Sequence, residues 1–165
     1  MEMKYYGKGS LSSLLKLTLD ILLLLGVLLF FFITQRTLFA KQEEVTVVLA
    51  FVYFLFLVGG TSLIFIVYNL RKIVQTLLKP DPFTYGNVKS LKNIWIGCFL
   101  IAACYFINFF INFNKETFEI IYISTKGIHT DFEFFIFLFA GLFILVLEKV
   151  FKVAVEYKED HDLTI

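Results

Sequence analysis

The stretch RKIVQTLLKPDPFTYGNVKSLKNIW, Arg71 to Trp95, decides the fold of this chain. It holds five of the fifteen basic residues, a single acid (Asp81) and both prolines, and it separates two long apolar runs. The run before it, Val45 to Leu70, has 26 residues without a charge. At ~1.5 Å rise per residue such a helix is ~39 Å long, against a bilayer hydrocarbon core of ~30 Å, so it crosses a membrane with tilt or overhang. Inside the stretch, Ile73, Val74, Leu77 and Leu78 share one helical face, which carries the helix past the membrane until Lys79-Pro80 stops it. Asp81 before Pro82 is the pattern of a new helix start, a side-chain acceptor followed by a ring that fixes φ. From Phe83 onward a 100° wheel gathers Phe83, Val88, Leu91, Ile94 and Trp95 into one arc, with Asn87 inside it and Lys89 and Lys92 outside. The expected feature is a helical elbow over 71–92 whose arms rise into two spans.

Working outward, the 59% hydrophobic composition, 22 Phe and mean hydropathy of +0.81 place the chain well above the apolar content of soluble domains. A basic arm precedes a Leu-rich run, but no small-x-small cleavage pattern follows before Gln35 and Arg36, so a retained first span is expected over about 14–36. Its uncharged part is short, and the span must take in Asp20. The second span is expected over 45–70, the third over 93–113 and the fourth over 132–151. The fourth must include Glu148, while Lys149 and Lys152 reach back to the surface. The loop from Asn114 to Asp131 carries Ile120 to Ile123, a short strand or interfacial segment. This gives a single all-α membrane domain over 1–165 with four transmembrane helices and a tail over 152–165.

Orientation follows from the cations. Eleven Lys and Arg fall in the first arm and turn, the elbow and the tail, against four in the two opposite loops. The positive-inside rule then puts both termini and the elbow in the cytoplasm. The AT-rich flavour of the composition points to a bacterial cell membrane.

Chemistry is sparse. Asp20 and Glu148 are expected about a turn inside the inner surface, at the depth of Asn69, where a charge costs ~2.5–3.5 kcal/mol near the centre of a span. Pairing with Lys16 and Lys152 is the plainer expectation, a proton- or cation-sensitive cluster the sharper one. Asn108 and Asn112, with Tyr105, form a polar stripe in the outer half of the third span, where bonding between helices is favoured over a ligand pocket. Gly59, Gly60 and Ser62 offer close helix approach. Cys98 and Cys104 are about 240° apart on one helix and read as buried thiols. His129 has no metal-ligand neighbour at coordinating spacing. No phosphate loop, no nucleophile with a base and no metal spacing is found, so neither an enzyme nor a cofactor is expected.

Asp81-Pro82-Phe83, then Asn87-Val88-Lys89 and Leu91, a fourth span running into Val150-Phe151-Lys152, and the ending Asp162-Leu163-Thr164-Ile165 together resemble a family of small four-helix bacterial membrane proteins of unknown function. The resemblance covers the whole chain. Where the family often carries an acid between Pro-Phe and Asn, this chain has Tyr85-Gly86. Members are often encoded beside a small helix-turn-helix regulator of the Xre/Cro type, so the resemblance implies a regulatory partnership.

The expected function is a membrane-embedded sensor or anchor that binds a cytoplasmic helix-turn-helix regulator. Its contact residues would be Asp81, Pro82, Phe83, Asn87 and Leu91 in the elbow and Asp162, Leu163, Thr164 and Ile165 in the tail. The tail's Leu163 and Ile165 would pack on the arc of Phe83, Val88 and Leu91, with Asn87 bonding the tail backbone. The alternative is a small transporter or ion-responsive bundle using Asp20, Asn69, Asn108, Asn112 and Glu148. Beyond the lipid bilayer and that partner, a homo-oligomer is compatible with the pattern and direct nucleic-acid binding is not expected.

Overall fold

The computed structural model describes residues 11–39, 46–77, 82–112, 121–124, 127–130 and 133–162. Four helices carry nearly all of it: α1 (Leu11–Phe39), α2 (Val47–Thr76), α3 (Tyr85–Asn112) and α4 (Glu133–Asp162). Each is long and apolar enough to cross a membrane. They are apolar around most of their circumference, so the backbone bonds of the helix satisfy the polar groups while the side chains face lipid. Hydroxyls inside the spans follow the same rule. Thr18, Thr34 and Ser62 each donate to the carbonyl four residues back, at 2.7 Å.

Each helix packs antiparallel on its neighbour in the chain, with α3 innermost and α1 at the edge against α2. Small residues set the three approaches. A Cβ on Gly97 would lie 2.8 Å from Ile66 of α2, and one on Gly141 would lie 2.7 Å from the Phe99 ring of α3. One on Gly60 would strike the Phe30 ring of α1, whose centroid lies 5.7 Å from that of Phe56 in a tilted pair. The core accordingly sits on α3, where Val88, Leu91, Ile94, Cys98, Ile101 and Ala102 are buried. Cys98 and Cys104 are both free thiols.

At one end α3 and α4 are joined through a two-stranded antiparallel hairpin, β1 (Ile121–Ser124) and β2 (Gly127–Thr130), in which Tyr122 lies opposite His129. The strand expected near Ile120 is therefore half of a hairpin. At the other end, α2 ends at Thr76 rather than running on to Lys79, and the start of the next helix is shifted as well. The helix does not begin at Pro82: residues 82–84 are non-helical and α3 starts at Tyr85, with the Thr84 carbonyl accepting from the amides of Asn87 (3.0 Å) and Val88 (3.3 Å). Phe83 thereby leaves the helix and is free to turn toward α4. Asp81, Leu163, Thr164 and Ile165 lie outside the described residues, as do the side chains of Asn112 and Asp162.

Candidate functional site: a polar layer above a clamped elbow

The antiparallel hairpin of α2 and α3 is nearly symmetric about residue 81, and that register brings its polar residues together. Asn69 and Asn93 stand twelve residues either side of it. Asn93 Nδ2 donates to Asn69 Oδ1 at 3.0 Å, and Asn69 Nδ2 donates to the Phe65 carbonyl at 2.8 Å. Asn69 is 1% exposed, and this pairing is what makes its burial tolerable. Two residues further along α2, Arg71 forms an ion pair with Asp20 of α1. The carboxylate expected to pair with Lys16 along its own helix is instead matched across helices. Arg71 reaches it because α1 and α2 run antiparallel, which puts Asp20 beside the last turns of α2.

Glu148 completes the layer from α4. Phe134, Gly141, Glu148 and Val155 recur every seven residues on one stripe, and Gly141 meets α3 at Cys98 and Phe99. Two helical turns on, Glu148 stands level with Leu91 and Lys92, close to the Asn69–Asn93 pair in height. Its side chain is 7% exposed, and its ion-pair partner is Lys149 at 3.3 Å. The expected partner, Lys152, pairs with Glu156 at 3.7 Å. One turn away, the Trp95 indole Nε1 is buried without a hydrogen bond. The Trp95 ring meets Phe99 edge-on, with centroids 5.5 Å apart.

Below this layer a clamp closes the elbow. Asn87, 1% exposed, donates through Nδ2 both to Thr76 Oγ1 of α2 and to the Pro82 carbonyl, each at 2.6 Å. It binds the hairpin to itself, with both donors spent on α2 and the connection, while Leu163 to Ile165, expected to meet it and the arc, lie outside the described residues. α4 covers part of that arc. Phe83 packs on Phe151 with ring centroids 5.5 Å apart, while Val88, Leu91 and Val155 are buried. Past that contact α4 continues as helix to Asp162, and its carboxylates Glu159, Glu156 and Asp160 lie near Tyr85.

Among the described residues, every lysine and Arg71 fall at the elbow end of the bundle, and only Arg36 lies at the other. Asn108 lies in the opposite half, on the wall of a cavity with Tyr105, which stacks on Phe137 of α4 at 6.0 Å. No group of three or more His, Cys, Asp or Glu able to hold a metal occurs among the described residues. Three contributors went unread in the sequence: Asn93, Thr76 and Arg71 as partner of Asp20. The symmetric spacing about the Pro-Asp-Pro turn was the available signal for the first two.

Four antiparallel helices of membrane-crossing length, with polar pairs and cations gathered at one end, define a multi-pass membrane protein. The chain belongs to DUF2975, a family of proteins of unknown function whose profile matches residues 21–165. No curated protein and no solved structure matches it.

Proposed function

We propose that this protein is a bacterial membrane-embedded sensor and anchor, with both termini cytoplasmic, that binds a small helix-turn-helix regulator on the surface made by its elbow and the last turns of α4. The observation that carries this reading is the join between the two. Phe83 on Phe151 ties the elbow to α4, and Tyr85 of α3 stands among the carboxylates of the last turns of α4, so the elbow and those turns make one continuous surface. That surface is charged in both signs: Lys89, Lys92 and Lys152 are exposed beside Glu156, Glu159 and Asp160, and Tyr157 at 70% exposure stands among them. An exposed aromatic ringed by charges is the make-up of a protein-binding patch, with the aromatic as anchor and the charges setting specificity. The gathering of cations at this end supports its cytoplasmic placement.

The testing experiment is co-purification of the full-length protein in detergent with a small helix-turn-helix regulator of the Xre/Cro type from the same cell. Wild type should retain the regulator, and Tyr157→Ala should release most of it while still inserting in the membrane. Equal retention by both would remove this surface from the reading.

A second reading has its own observation. Glu148 is a buried carboxylate level with the Asn69–Asn93 pair, and an ion-responsive bundle would use such a group. Glu148→Gln keeps the shape and removes the charge. If regulator release or any transport into vesicles depends on pH or monovalent cations in wild type, the variant should lose that dependence; a retained response would exclude Glu148 from it.

A further inference from the structure

In the half of the bundle away from the elbow, α2, α3 and α4 enclose a partly open cavity of about 360 Å³. It runs along three turns of α2, from Val52 to Leu63, and none of its lining residues is charged. The two adjacent glycines on its floor differ in their surroundings. Gly60 is explained by helix packing, since a Cβ there would enter the Phe30 ring of α1. Gly59 is not, because a Cβ on it would meet no atom within 4 Å. The missing side chain at Gly59 keeps space open that no other part of the protein fills.

The dimensions select an occupant. Eleven residue steps at ~1.5 Å make the cavity about 16 Å long, and even with the open space at its mouth, about 850 Å³ in all, its cross-section is only about 53 Å². That admits an extended hydrocarbon chain, whereas an α-helix ~10 Å across presents about 80 Å² and would not enter. The long axis follows α2, the direction in which acyl chains lie in a bilayer. Leu63 and Tyr105 at the rim are exposed, so the cavity opens sideways where the surroundings are lipid. An unfilled apolar groove forfeits dispersion contacts on one side, and a chain lying in it restores them. We propose that this cavity binds one acyl chain of a bilayer phospholipid, with its headgroup remaining at the membrane surface on the hairpin side. The site does not depend on the partner-binding surface, and its test is read with no partner present.

The full-length protein is reconstituted in nanodiscs of phosphatidylcholine carrying a diazirine in one acyl chain, photolysed and mapped by peptide mass spectrometry. Adducts should be several-fold denser on 52–63 and 101–108 than on the lipid-exposed α1 face at Leu22, Leu25 and Leu29. Gly59→Phe, whose ring would occupy the cavity, should bring the first two segments down to the α1 level, and Gly59→Ala should leave them high. Leu63→Trp at the rim gives a second variant should Gly59→Phe fail to fold. Adduct density equal to that of α1, or unchanged in both filling variants, would overturn the proposal. So would labelling there by a diazirine fatty alcohol but not by the phospholipid, or a crosslink to a second copy through these residues.

Discussion

Asn87 of α3 donates to Thr76 of α2 at 2.6 Å while also holding the Pro82 carbonyl, so one buried amide ties together the two arms of the elbow and the connection between them. A side chain in that position acts as a latch on the hairpin. Leaving either acceptor buried and unmatched costs about 1–3 kcal/mol.

The first prediction is therefore Asn87→Ala, which should destabilise the protein by about 1–3 kcal/mol, read as a lower midpoint of thermal unfolding in detergent. Thr76→Val should cost less, because the Pro82 contact survives. The two changes together should cost less than their sum, since they remove the same bond. Strict additivity would mean that the two side chains act separately.

The Asp20–Arg71 pair anchors the edge helix α1 to α2 at the elbow end. Removing one partner leaves a charge facing the bundle, whereas removing both leaves none, so Asp20→Asn or Arg71→Gln alone should destabilise more than the double variant. Unfolding midpoints of the three variants check this. A double variant worse than either single one would contradict the pairing.

How the sequence relates to this arrangement depends on which contacts are local. Four membrane-length helices were legible because an uncharged run such as Val45–Leu70 has one reading in a membrane, and the break between α2 and α3 was signalled by Pro80-Asp81-Pro82 between two such runs. Contacts between helices were not, because a 3.6-residue period says which face a residue occupies but not which helix comes to that face. Asp20 was accordingly matched with Lys16 on its own helix, and its pairing with Arg71 needed the register of α1 on α2. Asn87 was placed on the correct arc, yet the side chain bonds toward the turn because α3 starts at Tyr85 and brings Thr76 within reach.

Packing of α1 gives a third prediction. Gly60→Ala would put a Cβ 2.2 Å from the Phe30 ring, so α1 must shift, at a cost of about 1–3 kcal/mol. Adding Phe30→Ala should recover part of the loss by vacating that volume. Thermal unfolding of the single and double variants measures it, and no recovery would place the strain elsewhere.

Membrane orientation is tested by labelling intact cells. Cysteine tags at either terminus and at the exposed Lys89 should react with a membrane-impermeant reagent only after lysis, while a tag at Lys126 should react before it. External labelling at Lys89 would reverse the proposed sidedness and remove the elbow from the cytoplasm.

The most direct test of the central claim, that the elbow and the end of α4 form one surface for a cytoplasmic regulator, is the affinity of that regulator for purified full-length protein, wild type against Phe83→Ala and against a chain lacking Asp162 to Ile165. Phe83→Ala removes the ring that seats the elbow on Phe151, and the truncation removes the last residues of the tail. Phe83 is 42% exposed, so the same ring is open to a partner. Truncating an aromatic anchor in an interface costs about 2 kcal/mol or more, so Phe83→Ala should weaken binding by at least about tenfold, with the truncation weaker than wild type as well and both proteins still in the membrane fraction. Wild-type affinity in both variants would contradict the account.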